Sequence, residues 1–158
     1  MKKLVLVLAA FFLVAVGWKM APTAAPAAPV KTEKSTAASK ASGKERKIVV
    51  SDGTHQVVYV LNGSPAAEDL FQQLPLTIEL QNYSDNEKIF YPRALNVKDT
   101  PRAKNQAGTL AYYAPWKDVV LFYGPYRENE ELYELGHVLD GEGQIPQLQP
   151  GNVTIQKK

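Results

Sequence analysis

The sequence predicts a mainly β domain, a small closed β-barrel with one or two short helices, and an α+β domain is the alternative that the same pattern leaves open. Three observations support this prediction: short runs rich in β-branched and aromatic residues recur from residue 47 onward, turn-forming residues separate them, and only one segment has helical periodicity. The 158-residue chain contains no cysteine, so a hydrophobic core rather than disulfides must stabilise the domain. A domain of about 110 residues can bury enough apolar surface for this.

The first two runs form a predicted hairpin. Residues 47–50 and 56–61 are rich in valine and isoleucine, and an Asp-Gly pair between them supplies the positive φ angles of a tight turn. A helix follows, because Ser64 is a suitable N-cap and Pro65 suits the first helical position. The apolar stripe of this helix consists of Ala67, Leu70, Phe71 and Leu74.

Pro75 ends the predicted helix, and the rest of the domain is predicted to form strands joined by turns and loops. Apolar and polar residues alternate over 76–83, which is typical of a half-buried strand. Residues 96–108 are predicted to be a long polar loop, and 124–131 a loop or a single helical turn. Residues 149–158 are expected to be a loosely ordered tail. The remaining predicted strands are residues 88–91, 109–113, 118–123 and 133–139.

The N-terminal residues are expected to direct export rather than to join the fold. Two lysines precede fifteen apolar or small residues, 4–18, a run shorter than the roughly 20 residues that a membrane-spanning helix needs. Residues 1–20 are therefore predicted to be either a cleaved signal peptide or an uncleaved membrane anchor. Residues 21–45 contain no aromatic residue and are rich in Ala, Pro, Ser, Thr and Lys, which predicts a disordered linker. The domain, residues 46–148, is expected outside the cytoplasm, either periplasmic or secreted, or anchored to the cytoplasmic membrane by residues 4–18.

Charge is unevenly distributed along the chain. Up to residue 45 there are seven lysines and two acidic residues, whereas from residue 46 onward eleven Lys and Arg face fourteen Asp and Glu. A mildly acidic domain argues against nucleic-acid binding, which usually needs a concentrated basic face. Membrane contact is expected only through the N-terminal segment, and the domain is expected to be a monomer.

Two segments of the domain are distinctive in combination. PAAEDL begins at Pro65 and leads into LPLT at 74–77, and YYAPW occupies 112–116. In this order they resemble the small prokaryotic cyclophilin-like family, over about residues 47–148. The resemblance implies a cyclophilin-like β-barrel with helical closure. It does not by itself imply prolyl isomerase activity, because function resides in sites and not in folds.

The isomerase motifs of cyclophilins are absent. Cyclophilins carry a Phe-His-Arg-type strand and a Gln-x-Gly-Gly-Asp-type strand, and this chain has no Phe-His pair and no Gly-Gly pair. Arg93 is the best candidate for the hydrogen-bond donor of a non-standard isomerase, although a solvated loop charge is the favoured interpretation. Glu87 and Lys88 follow a turn, and we expect them to form a surface ion pair of little energetic weight.

Seven aromatic residues lie within residues 91–126. Neighbouring side chains of a strand point to opposite faces, so Tyr112 and Tyr113 cannot both belong to the core. Most of the seven are expected to fill the barrel; the alternative is that some line a shallow apolar groove for a peptide or small ligand. The candidate ligand-binding residues are Tyr91, Tyr112, Tyr113, Trp116 and Phe122.

No motif for metal or cofactor binding is present. The two histidines, His55 and His137, lack the short ligand spacing of zinc sites, so neither a metal nor a cofactor is predicted. The leading hypothesis is an exported cyclophilin-like module that binds a proline-containing peptide or a small ligand, without the standard isomerase residues. The alternative is a periplasmic peptidyl-prolyl cis-trans isomerase with Arg93 as its catalytic residue. The sequence leaves open whether the protein is an enzyme.

Overall fold

A computed structural model describes residues 45–158 of the chain. The predictions for residues 1–20 and for the linker up to residue 44 lie outside the described residues. Within the described part, eight strands form one closed antiparallel barrel. The predicted fold class, a small closed β-barrel with one or two short helices, is confirmed.

The barrel closes through strands that are not consecutive in the chain. The strands are β1 (Lys47–Ser51), β2 (Gln56–Leu61), β3 (Leu76–Tyr83), β4 (Glu87–Phe90), β5 (Thr109–Tyr113), β6 (Asp118–Phe122), β7 (Leu132–Asp140) and β8 (Gly151–Lys157). An α-helix, α1 (Pro65–Gln73), follows β2, and a 3-10 helix, η1 (Glu142–Gln147), follows β7. Around the barrel the order is β1-β2-β7-β5-β6-β4-β3-β8, and β8 pairs with β1. Neither helix of this part of the chain is long and apolar enough to cross a membrane.

Helix α1 begins as the sequence predicts. The Ser64 hydroxyl accepts a hydrogen bond from the Ala67 amide at 3.4 Å, which satisfies one of the free N–H groups of the first turn. Ala67 and Leu70 of the predicted stripe are fully buried in the barrel core. Phe71, from the same stripe, is only partly buried, and the cationic groups of Arg46 and Lys157 lie over its ring.

The expectation of a loosely ordered tail over 149–158 is wrong. This segment contains β8, which pairs with β1 on one side and with β3 on the other. Val153 and Ile155 are fully buried, and their polar neighbours face outward. The strand has only these two apolar residues, a signal too short to stand out in the sequence, and its pairing partners are distant along the chain. The domain therefore continues to Lys157.

The wall formed by β4, β5 and β6 carries buried apolar residues on both faces. All five residues of β6 are buried, and they alternate between the interior and the exterior of the barrel. Val119 and Leu121 face the main core inside the barrel, whereas Val120 and Phe122 belong to a second, smaller cluster outside it. Tyr126 covers part of this outer face by stacking on Phe122, with ring centroids 3.7 Å apart. Tyr126 leaves part of this outer face uncovered, and the uncovered part forms a groove.

Candidate functional site

The groove lies on the outer face of β4, β5 and β6 and has a volume of about 380 Å³. This volume is in the range of small-molecule sites, about 300–1,000 Å³. The aromatic lining residues come from three strands, one turn and the segment after β6. They are Tyr83, Tyr113, Trp116, Phe122 and Tyr126, accompanied by the polar residues Asn86, Glu87, Arg127 and Asn129.

Three rings form an open corner at one end of the groove. Trp116 lies in the turn between β5 and β6, with its ring centroid 5.5 Å from that of Tyr83 and 5.6 Å from that of Tyr113. Both tyrosine rings are nearly perpendicular to the indole, at 83° and 75°. Trp116 is 50% exposed and Tyr83 is 42% exposed, so ring surface in this corner is open to solvent. We call these three residues the aromatic corner.

Two carboxyl groups lie on the same outer face. Asp118 is directly opposite Tyr113 in the β5–β6 ladder, and paired residues project to the same side of a sheet. Asp118 is only 2% exposed, and its Oδ1 atom has no hydrogen-bond partner in the part of the chain that the structure describes. Burial raises the pKa of Asp118 above its usual range. Burial also raises the pKa of Glu87, to about 7, and the nearby charge of Asp118 adds to that increase.

The raised pKa of Glu87 has a consequence for stability. Its pKa is about 7 in the folded protein against 4.5 for a free glutamate, so the folded state binds the proton more tightly. The stability that this proton adds to the fold is complete at a pH below the pKa of free glutamate, 4.5, and is lost as the pH rises through about 7. Because Glu87 is half-buried, solvent screening reduces the effect to about 1 kcal/mol.

Glu87→Gln is therefore expected to become more stable relative to the wild type as the pH rises from acidic to neutral. Denaturant unfolding of both full-length proteins across this range measures the difference. The conservative variant Glu79→Gln, at an exposed position of β3, is the control and should show no such trend. If the unfolding free energies of the wild type and Glu87→Gln differ by the same amount at every pH, Glu87 has an ordinary pKa.

Three of the candidate ligand-binding residues come together in this groove, namely Tyr113, Trp116 and Phe122. Tyr112 instead faces the barrel interior, where its phenol oxygen accepts a hydrogen bond from the Leu95 amide at 3.3 Å. Tyr91 is 49% exposed but is not among the residues that line the groove.

Arg93 also lies apart from the groove lining. Its backbone is held beside the end of α1, since the Arg93 amide donates to Gln73 Oε1 at 2.9 Å and Gln73 Nε2 donates to the Arg93 carbonyl at 3.2 Å. The donor that the isomerase alternative needs is therefore not next to the aromatic corner.

The expected Glu87–Lys88 surface pair does not form. The two residues are neighbours on β4 and point to opposite sides of the barrel wall. Lys88 is buried, and its Nζ donates to Asn82 Oδ1 at 2.6 Å. Sequence reasoning thus missed Glu87 as a groove residue, together with Tyr83, Tyr126 and Arg127, and it missed the buried Asp118 beside Tyr113. The alternation of side chains along a strand was the signal that could have placed Glu87 on the face opposite to Lys88.

The histidines form separate local contacts. His55 Nδ1 lies 3.0 Å from Asp52 Oδ2, and His137 Nε2 lies 3.2 Å from Glu134 Oε1. Within residues 45–158, no three His, Cys, Asp or Glu side chains are grouped so that they could hold a metal ion.

Comparison with known proteins supports the fold. The solution structure of the hypothetical protein AF2241 from Archaeoglobus fulgidus superimposes with a TM-score of 0.55 and 16% sequence identity, covering 73% of this chain and 97% of that chain. At this identity the similarity shows a shared fold alone. None of the curated proteins matches the chain. The model of the cyclophilin-like family matches residues 50–157, which include almost the whole barrel. The chain belongs to the cyclophilin-like family.

Proposed function

We propose that this protein is an exported cyclophilin-like module that binds a peptide or a small ligand in its outer groove, without the standard isomerase residues. One observation carries the proposal: five aromatic side chains line a concave site of about 380 Å³, with Trp116 and Tyr83 about half exposed. Large aromatic groups gathered in a groove are typical of ligand sites, because binding removes their apolar surface from water. The lysine-flanked apolar run near the N-terminus supports export.

The polar residues of the groove are suited to orienting a ligand. Asn86 is fixed by donating from Nδ2 to the Pro125 carbonyl at 2.7 Å, which ties the turn before β4 to the segment that covers β6. Glu87 and Arg127 place one acidic and one basic side chain along the lining. A few polar groups in a mainly apolar pocket give orientation and specificity, while the rings supply contact area.

Trp116→Ala is expected to weaken the binding of an Ala-Ala-Pro-Phe peptide by about tenfold or more, because aromatic anchors contribute most of the binding energy in such sites. The measurement is an amide NMR titration of the full-length chain in mild detergent. Tyr91→Ala is the matched control, since it removes an aromatic ring of similar exposure outside the groove lining. This control variant should bind the peptide as the wild type does.

The same peptide distinguishes binding from catalysis. We expect the cis/trans exchange rate of its prolyl bond to stay at the uncatalysed value in the presence of the protein. Acceleration that is lost in Arg93→Ala and kept in Trp116→Ala would instead establish the isomerase alternative. Weaker binding in Tyr91→Ala than in Trp116→Ala would place the ligand elsewhere and contradict the proposal.

A further inference from the structure

The aromatic corner offers ring faces to a positive charge. The rings of Tyr83 and Tyr113 stand nearly perpendicular to that of Trp116, so a group seated in the corner can contact more than one ring. The face of an aromatic ring carries partial negative charge, and tryptophan attracts cations most strongly. Half-exposed rings in this arrangement are typical of sites for alkylated ammonium groups.

One acidic group lines the groove and a second is buried beside it, and within residues 45–158 neither forms a salt bridge. Asp118 shares the outer face with Tyr113 and is 2% exposed, and its Oδ1 finds no hydrogen-bond partner within residues 45–158. Glu87 lines the groove and lies near enough to Asp118 to feel its charge. A buried carboxylate without a partner is unfavourable, and a bound cation would relieve this.

We propose that the groove binds a small organic cation, a free alkylated ammonium compound, whose alkyl groups pack on Tyr83, Tyr113 and Trp116 and whose charge faces Glu87, with the buried Asp118 nearby. This inference rests on the proposed function and names the ligand class. A volume of about 380 Å³ fits a small molecule. An alkylated ammonium suits the corner because its alkyl groups can pack on the surfaces of the three rings.

The charges around Glu87 determine how binding should depend on pH. The titratable and charged groups around it are Asp118 of β6, Arg127 of the segment between β6 and β7, and the phenols that line the groove. A bound cation favours ionised Glu87, so binding releases a proton, and the affinity rises with pH through about 7. If the ionised side chain improves the affinity about tenfold, the affinity should increase roughly fivefold between about pH 6 and about pH 8.

The test compares choline with neohexanol, an uncharged molecule of the same shape in which carbon replaces nitrogen. The full-length chain carries Trp18→Phe, so Trp116 is its only tryptophan and its indole N–H gives one NMR signal. We expect choline to shift this signal with a dissociation constant on the order of millimolar, and neohexanol to bind about tenfold more weakly.

Three variants test how individual charged side chains contribute to choline binding. Glu87→Gln should weaken choline binding about tenfold at alkaline pH and remove most of its pH dependence, with a clearly smaller effect on neohexanol binding. Glu79→Gln, an exposed carboxylate outside the groove lining, should behave as the wild type. Arg127→Gln should tighten choline binding severalfold, because it removes the cation that lines the groove. Circular dichroism verifies that each variant is folded.

Equal binding of choline and neohexanol would overturn the cation inference and leave the ligand-binding groove intact. If neither compound shifts the indole signal, the cation inference is also overturned. The peptide titration then decides the proposed function separately. Weaker choline binding in Arg127→Gln would show that Arg127 does not oppose the ligand as a like charge would, and it would also overturn the inference. Glycerophosphocholine carries the same ammonium group beside a phosphate and should bind no more tightly than choline. A preference for it of more than about tenfold would overturn the assignment to a free cation.

Discussion

Deletion of residues 151–158 is expected to unfold the domain. This segment holds β8, whose ladder with β1 runs from Ile48–Lys157 to Ser51–Thr154 and whose ladder with β3 runs from Leu76–Ile155 to Leu80–Gly151. The deletion also removes Val153 and Ile155 from the core. It would leave β1 and β3 as two unpaired edges of an open barrel. The combined loss should be comparable to the whole stability of a small domain, about 5–15 kcal/mol.

Far-UV circular dichroism and thermal unfolding of the truncated chain measure this effect. The control is removal of Lys158 alone, which takes away one exposed residue and a single hydrogen bond from its amide to the Lys47 carbonyl. That change should lower the unfolding free energy by about 1 kcal/mol or less. Cooperative unfolding of the chain that lacks 151–158, at a temperature near that of the full-length protein, would show that β8 is not an integral strand.

Gly136→Ala is expected to lower the unfolding free energy by about 3 kcal/mol or more. Gly136 lies on β7, paired with Leu61 of β2 on one side and with Leu110 of β5 on the other. A Cβ atom at this position would lie 2.1 Å from the Val60 carbonyl oxygen and 2.9 Å from the Leu61 Cα. Both clashes involve backbone in the barrel wall, which cannot move aside as a flexible side chain can.

Denaturant unfolding of the full-length protein measures the loss in Gly136→Ala. Gly143→Ala is the matched control, because a Cβ at Gly143 of η1 would meet nothing within 4 Å. We expect the control to change the unfolding free energy by about 0.5 kcal/mol or less. Similar stability of the two variants would mean that β7 and β2 do not approach as closely as the structure describes.

Local signals in the sequence were sufficient for much of the fold. The Asp-Gly turn, the Ser64 cap and the alternation over 76–83 each depend on residues close together in the chain, and each element forms where predicted. Strand β8 depends on partners that precede it by about 70 to 110 residues, and no local pattern shows those partners. The sequence could therefore predict that the barrel is closed, but not that β8 is the strand that closes it.

The groove illustrates the same limit. Trp116 and Tyr113 could be proposed as ligand contacts because they are aromatic and adjoin a turn. Tyr83 joins them only because β3 and β6 both flank β4, an arrangement that becomes visible once the strand order is known. Glu87 shares the outer face with Phe122, its partner in the β4–β6 ladder, although the two are 35 positions apart in the sequence. Sites built across several strands require the register, which the sequence alone leaves open.

The most direct test of the account is an amide chemical-shift map of the full-length chain titrated with the Ala-Ala-Pro-Phe peptide and, separately, with choline. If the outer groove is the binding site, the largest changes should fall on Glu87, Val120 and the turn that carries Trp116. If the largest changes fall around Tyr91 and Arg93, or if neither probe produces any, the aromatic groove is not the binding site for these ligand classes.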